Sequence, residues 1–216
     1  MEPVILTSDQ AKVLQLFSRD TSLSKLFYLS GGTALSAFYL HHRYSDDLDF
    51  FTDKPFELSL ISPFIRAVKN ALISNSPSYE HLYDRHIFIF ATNPILKIEF
   101  SLYPFSHLSP PGLENGISID SELDIAVNKL FTLFDRNEPK DFIDLYFLLQ
   151  QYSLETLIDG VKKKFDFTIS PLTLGSELLK VRHLDIFPRI ITPLSKEMVV
   201  SFFEKKAHDL GKEVLS

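Results

Sequence analysis

The run Asp47-Leu48-Asp49-Phe50-Phe51 constrains this chain more than any other segment. With the two-residue period of a strand, Asp47, Asp49 and Phe51 share one face and Leu48 and Phe50 the other. Acids interleaved with large apolar groups belong at the border of a core, whereas an exposed acidic turn, the competing reading, carries no such alternation. Two carboxylates on one face oppose each other's ionisation unless a cation lies between them. A hard divalent ion bound through oxygen resolves that conflict. The segment is therefore read as a half-buried strand carrying a candidate cation seat.

The residues before it supply a second feature. Leu26-Phe27-Tyr28-Leu29 is a short apolar run that stops at Ser30-Gly31-Gly32, and Thr33 to His41 reads as a helix. Glycines let a backbone turn tightly and approach a ligand. The helix start behind them presents unpaired N–H groups suited to phosphate, and Thr33 adds a hydroxyl. Taken alone, a Gly-Gly connection is most often only a turn. A helix capped by Thr7 or Ser8 precedes this region, and another is expected around 61–73. Strands are expected at 87–91 and 96–103, with the turn signal Asn93-Pro94 between them. In the later strand Lys97, Glu99 and Ser101 alternate with Ile98, Phe100 and Leu102. If it neighbours the Asp47 strand, Glu99 reaches the same face and could accept a proton from an attacking hydroxyl.

Residues 106–116, with two prolines and two glycines, read as a loop. Beyond it the periodicity turns helical, over roughly 121–136, 139–151, 153–165, 170–181 and 195–211. The expected fold class is α+β. A core with a mixed β-sheet flanked by helices occupies 1–120, and a helical part follows at 121–216. On the first of these helices Lys129 flanks the apolar stripe and Arg136 lies above it on the same side. Asp141 and Asp144 share a face of the next helix. A snorkelling lysine and a dipole-favoured first-turn acid are the structural readings of Lys129 and Asp141.

Composition removes several classes. There is no cysteine, so disulfides and thiolate metal sites are excluded. No apolar run approaches a membrane span, and Met1-Glu2-Pro3-Val4 has no basic, cleavable leader, which makes the cytoplasm the expected location. The 22 basic and 28 acidic residues give a net charge of −6, so a chain-wide basic footprint for nucleic acid is absent. Residues 160–212 run the other way, with Lys162-Lys163-Lys164 and Lys205-Lys206. The 20 phenylalanines are read as an aromatic core rather than as base-stacking platforms. A zinc site at His41-His42 lacks a spaced histidine partner. A dehalogenase-type Asp-x-Asp is set aside because polar residues, not an apolar strand, precede the pair.

Order and spacing add what single motifs lack. Gly31-Gly32-Thr33-Ala34-Leu35, then Arg43-x-Ser45-x-Asp47-Leu48-Asp49-Phe50, then Lys97-x-Glu99 come first. Asp124-x-Ala126-x-x-Lys129-Leu130 and Arg136-x-x-x-Lys140-Asp141-x-x-Asp144-Leu145 follow. This series resembles the AbiEii/AbiGii toxin family of the DNA polymerase β-like nucleotidyltransferases. The resemblance implies a nucleotidyltransferase core, a nucleoside triphosphate substrate, and Mg2+ or Mn2+ as cofactor. It implies that Asp47 and Asp49 hold the metal, and that Gly31, Gly32, Thr33 and Ser45 cradle phosphate. It further implies that Lys129 and Arg136 meet the nucleotide, that Asp141 is needed for activity, and that Glu99 occupies a less uniform position. The helical part is then expected to complete the nucleotide cleft. The partners it implies are a cognate antitoxin and, for some relatives, the 3′ end of tRNA, which the basic C-terminal helices would meet. Two other readings stand beside this one: transfer to a small molecule or protein, and an inactive nucleotide- or partner-binding module.

Overall fold

The computed structural model describes residues 5–184 and 187–215, with the side chains of 213–215 left aside. The leader reading at Met1-Glu2-Pro3-Val4 lies outside the described residues. The chain divides into two compact units, Met1–Ser121 and Glu122–Ser216.

The first unit is built on one mixed sheet. Its strands are β1 (Tyr28–Ser30), β2 (Asp47–Thr52), β3 (Ser78–Leu82), β4 (Arg85–Phe90), β5 (Leu96–Leu102), β6 (Gly112–Glu114) and β7 (Ile117–Ile119). They lie in the order β3-β4-β5-β2-β1-β7-β6. The β2–β5 and β1–β7 pairs are parallel and the others antiparallel. Two helices, α1 (Ser8–Arg19) and α4 (Leu58–Ala71), cover one face. Thr7 closes the start of α1 with a capping box, accepting from the Gln10 N–H while the Gln10 side chain accepts from the Thr7 N–H. The face they cover is the apolar one: Leu48 and Phe50 of β2 and Ile98 and Phe100 of β5 are fully buried. Phe17 stacks on Phe50 at 4.2 Å, Phe50 on Phe100 at 5.1 Å, and Phe64 meets Phe100 edge-on at 5.9 Å. These phenylalanines are thus core, and the opposite face of β2 and β5 carries Asp47, Asp49, Lys97 and Glu99.

Local departures from expectation have physical causes. Leu26 ends a short helix, α2 (Thr21–Leu26), rather than starting the strand, because Asp20 caps the N–H groups of Ser22 and Leu23. The helix expected at 33–41 begins at Gly31 as α3 (Gly31–Leu35) and continues as a π turn over Ser36–Leu40, ending at a left-handed His41. His41 donates from Nε2 to the Ala37 carbonyl, as a terminal histidine does. The loop expected at 106–116 contains β6, joined to β7 through Asn115-Gly116, both at positive φ. β3 escapes alternation because every residue of Ser78–Leu82 is exposed.

The second unit is helical. It comprises α5 (Glu122–Thr132), α6 (Pro139–Leu148), α7 (Leu154–Phe165), α8 (Pro171–Leu179), a 3₁₀ turn at Lys180–His183 and α9 (Lys196–Leu215). Proline sits in the first turn of α6 and of α8, where no N–H is missed. Ser153 caps α7 by accepting from the Thr156 N–H. Phe142 meets Phe203 edge-on at 5.3 Å, and Phe131 stacks on Phe165 at 4.2 Å. No described helix in either unit is long and apolar enough to cross a membrane.

Candidate active site

The carboxylates of the first unit gather because of register. β2 and β5 run parallel with Asp47 opposite Lys97 and Asp49 opposite Glu99, so all four side chains rise from the face not covered by helices. Asp47 and Asp49 are 30% and 18% exposed, open enough to meet a ligand. The Lys97 ammonium lies 3.5 Å from Asp47 Oδ2, 3.5 Å from Asp49 Oδ1 and 3.3 Å from Glu99 Oε2. Burial works against its charge, but Asp49, Asp47 and Glu99 outweigh that and raise its pKa above the usual lysine range. Sequence reasoning placed Lys97 in a motif without giving it a role; its alternation with Glu99 was the available signal.

Glu99 is committed elsewhere than expected. Arg85 donates to both its oxygens, at 2.6 and 2.8 Å, and Ser101 donates at 2.7 Å. Burial raises the carboxyl pKa, yet these donors and Lys97 prevail and hold it down to about 2. A carboxylate so held is a weak proton acceptor at neutral pH, which argues against Glu99 as the base.

The glycine turn faces this cluster. Gly31 follows β1 with φ +74°, and a Cβ there would lie 2.5 Å from Asp49 Oδ2. Only glycine both adopts that conformation readily and admits that approach. A Cβ on Gly32 would lie 2.5 Å from Arg43 Nη2 and 3.1 Å from Ser45 Oγ. Arg43 is almost wholly buried and donates from Nη1 to the Tyr44 carbonyl at 2.9 Å. Thr33 donates its hydroxyl to the Asp47 carbonyl, tying turn to strand. Gln10 donates from Nε2 to the Ser45 carbonyl at 2.8 Å. Gly31, Gly32, Thr33, Ser45, Asp47, Asp49 and Glu99 are thus brought into one neighbourhood.

Just beyond β7, Asp120 is fully buried and was missed from sequence. Ser30 donates to its Oδ2 at 2.8 Å, His107 Nδ1 lies 3.1 Å from its Oδ1, and Tyr39 donates to its carbonyl at 2.8 Å. The network secures the strand end from which Gly31 departs.

The second unit holds its own cluster. Lys129 does not snorkel: it is buried, 2.7 Å from Asp141 Oδ1 and 2.6 Å from Asp144 Oδ2. Arg136 donates to Asp141 from Nε at 2.9 Å and from Nη2 at 3.3 Å. Burial pushes the Asp141 carboxyl up, but Lys129 and then Arg136 outweigh it and lower its pKa. Asp141 therefore binds both cations, well beyond a dipole effect. Lys164 pairs with buried Asp124 at 2.7 Å, and its side chain is only 1% exposed.

A mixed sheet with paired aspartates on its open face and a glycine turn against them is the architecture of a nucleotidyltransferase. Comparison with known proteins agrees. Residues 15–207 match the model of the nucleotidyl transferase AbiEii toxin, type IV toxin–antitoxin system. The chain belongs to that family. An uncharacterised protein of Aquifex aeolicus (strain VF5) is 39% identical over 153 residues, spanning 66% of this chain and 69% of that one. A crystal structure of a nucleotidyltransferase candidate from H. pylori superposes with a TM-score of 0.60 at 26% identity, covering 96% of this chain and 97% of the other. The crystal structure of JHP933 from Helicobacter pylori gives 0.57 at 25% identity over 94% and 90%. MenT4, a nucleotidyltransferase toxin from Mycobacterium tuberculosis H37Rv, shares the fold, with a TM-score of 0.56 at 15% identity over 94% and 82%. The chain is a nucleotidyltransferase of toxin type, and its family implies a nucleoside triphosphate substrate and an antitoxin partner.

Proposed function

We propose that the protein moves a nucleoside monophosphate from a nucleoside triphosphate to the 3′-terminal hydroxyl of tRNA, with magnesium or manganese as cofactor. The observation that carries this reading is the Asp47–Asp49 pair set against the Gly31 turn, with Asp49 Oδ2 2.5 Å from where a Gly31 Cβ would stand. Its hard oxygen donors suit such a cation, and they already gather around the positive charge of Lys97. Asp47 and Asp49 would hold the metal, which supplies Lewis-acid polarisation of the phosphates and neutralises developing charge.

The acceptor oxygen forms a bond to the α-phosphorus. The bond from that phosphorus to the bridging oxygen breaks, pyrophosphate leaves, and the hydroxyl proton passes to solvent. Little covalent work falls to the protein, so orientation and charge dominate. Gly31 and Gly32 let the backbone approach the phosphates, Thr33 fixes the turn to β2, and Ser45 stands beside Gly32. Within the helical unit Asp141 orients Lys129 and Arg136, the cations that the family resemblance assigns to the nucleotide, through the ion pairs it makes. Glu99 anchors Arg85 and Lys97.

The mass of total tRNA after incubation with the protein and each nucleoside triphosphate tests the acceptor. A gain of one or more nucleotide residues with at least one triphosphate is expected. Unchanged mass with all four would overturn the tRNA assignment. A second reading, transfer to a small molecule or a protein, draws support from the net charge of −6 and from Lys164. That lysine is buried against Asp124 and so cannot join a basic face. RNA binding that weakens steeply with salt favours the first reading, and indifference to salt favours the second.

A further inference from the structure

The feature of the core left without a role is Lys97. Its ammonium stands where three carboxylates converge, 3.3–3.5 Å from an oxygen of each. Magnesium bound through the same oxygens would need them at about 2.0–2.1 Å. An ammonium and a divalent ion cannot both sit against the same carboxylate oxygens, since their charges repel and their volumes overlap. Lysine, unlike arginine, is a compact charge on a flexible four-carbon stem, and this one is 28% exposed, so its head has a way out. Arg85, a further cation beside Glu99, is fixed in a two-pronged pair with it and lies on β4, away from Asp47 in the register.

We infer that Lys97 is a built-in counter-ion that occupies the cation seat of the metal-free enzyme and is displaced when the metal binds. The inference rests on the assignment of Asp47 and Asp49 as metal ligands made above. In the metal-free state Lys97 holds the two aspartates side by side, so the seat is formed before the metal arrives. The cost is competition: the metal binds only by expelling a resident cation. The apparent affinity for metal is therefore lower than the aspartates alone would give, and the freed ammonium becomes available to an incoming phosphate. Metal and triphosphate should accordingly bind better together than singly.

The test is manganese binding, read from the electron paramagnetic resonance signal of free Mn2+, without substrate. Lys97→Met and Lys97→Gln should bind Mn2+ more tightly than wild type, on the order of tenfold, because a unit charge beside the ion has been removed. Their metal-free forms should melt at lower temperature, and saturating Mn2+ should restore more of the loss than it adds to wild type. Affinity equal to or weaker than wild type in these variants overturns the inference. Asp49→Asn separates the two claims. If wild type and Asp49→Asn bind Mn2+ alike, the metal assignment itself fails. If Asp49→Asn loses binding while the lysine variants gain nothing, only the role of Lys97 fails. Should neither lysine variant fold, wild type decides through labelling of Lys97 by an amine-reactive acetylating reagent, followed by mass spectrometry. Faster labelling of Lys97 with Mg2+ supports displacement, and unchanged or slower labelling overturns it.

Discussion

Gly31 shows how narrowly single residues are fixed here. At φ +74° a side chain is strained, and a Cβ would press on the Asp49 carboxylate at 2.5 Å. Gly31→Ala should lose about 1–3 kcal/mol of stability from the backbone term alone. It should lose nucleotide transfer as well, because Asp49 must move aside; a urea titration and a transfer assay check the two effects. Lys129 is fixed by charge instead. Lys129→Met leaves Asp141 and Asp144 without their shared cation, and should cost about 3–5 kcal/mol in the same titration. The carboxylates also set the response to acid. Glu99 is held at about 2 and Asp141 is lowered too, so in the folded state both bind protons less readily than in the unfolded chain. Their contribution is full above the ordinary carboxylate pKa of about 4.5 and is lost as pH falls toward 2. The urea midpoint should fall between pH 5 and pH 3, and Glu99→Gln should flatten that fall.

Among the elements, those with a buried face were legible and those without were not. β2 was read with the correct faces because Leu48 and Phe50 pack inward while Asp47 and Asp49 do not. The helices of the second unit announced themselves through period and prolines. β3 and β6 bury nothing, so alternation had nothing to report. For β6 a different signal was present: Asn115-Gly116 suits the positive-φ positions of a two-residue hairpin. Gly116→Val should therefore weaken the β6–β7 hairpin by about 1 kcal/mol or more, seen as faster amide exchange at Ile117–Ile119. The candidate site was legible as residues but not as partnerships. Which cation meets Glu99, or that Lys164 meets Asp124 across 40 positions, depends on register and packing that no local pattern encodes.

At the scale of the molecule, an acid-bearing sheet unit and a helical unit with its own ion-pair cluster lie in a chain matched by the AbiEii family from residue 15 to residue 207. We propose the aspartate pair as the seat of the cation on which transfer depends. Transfer of label from an α-labelled nucleoside triphosphate to total RNA, with and without Mg2+, measures this directly when wild type is set beside Asp47→Asn and Asp49→Asn variants of native melting temperature. Metal-dependent labelling by wild type is expected, and roughly a hundred- to a thousandfold less by either variant, on the order of the loss when a transition-state charge is left unmatched. Equal labelling by wild type and the variants, or labelling by wild type that ignores Mg2+, would contradict the proposal.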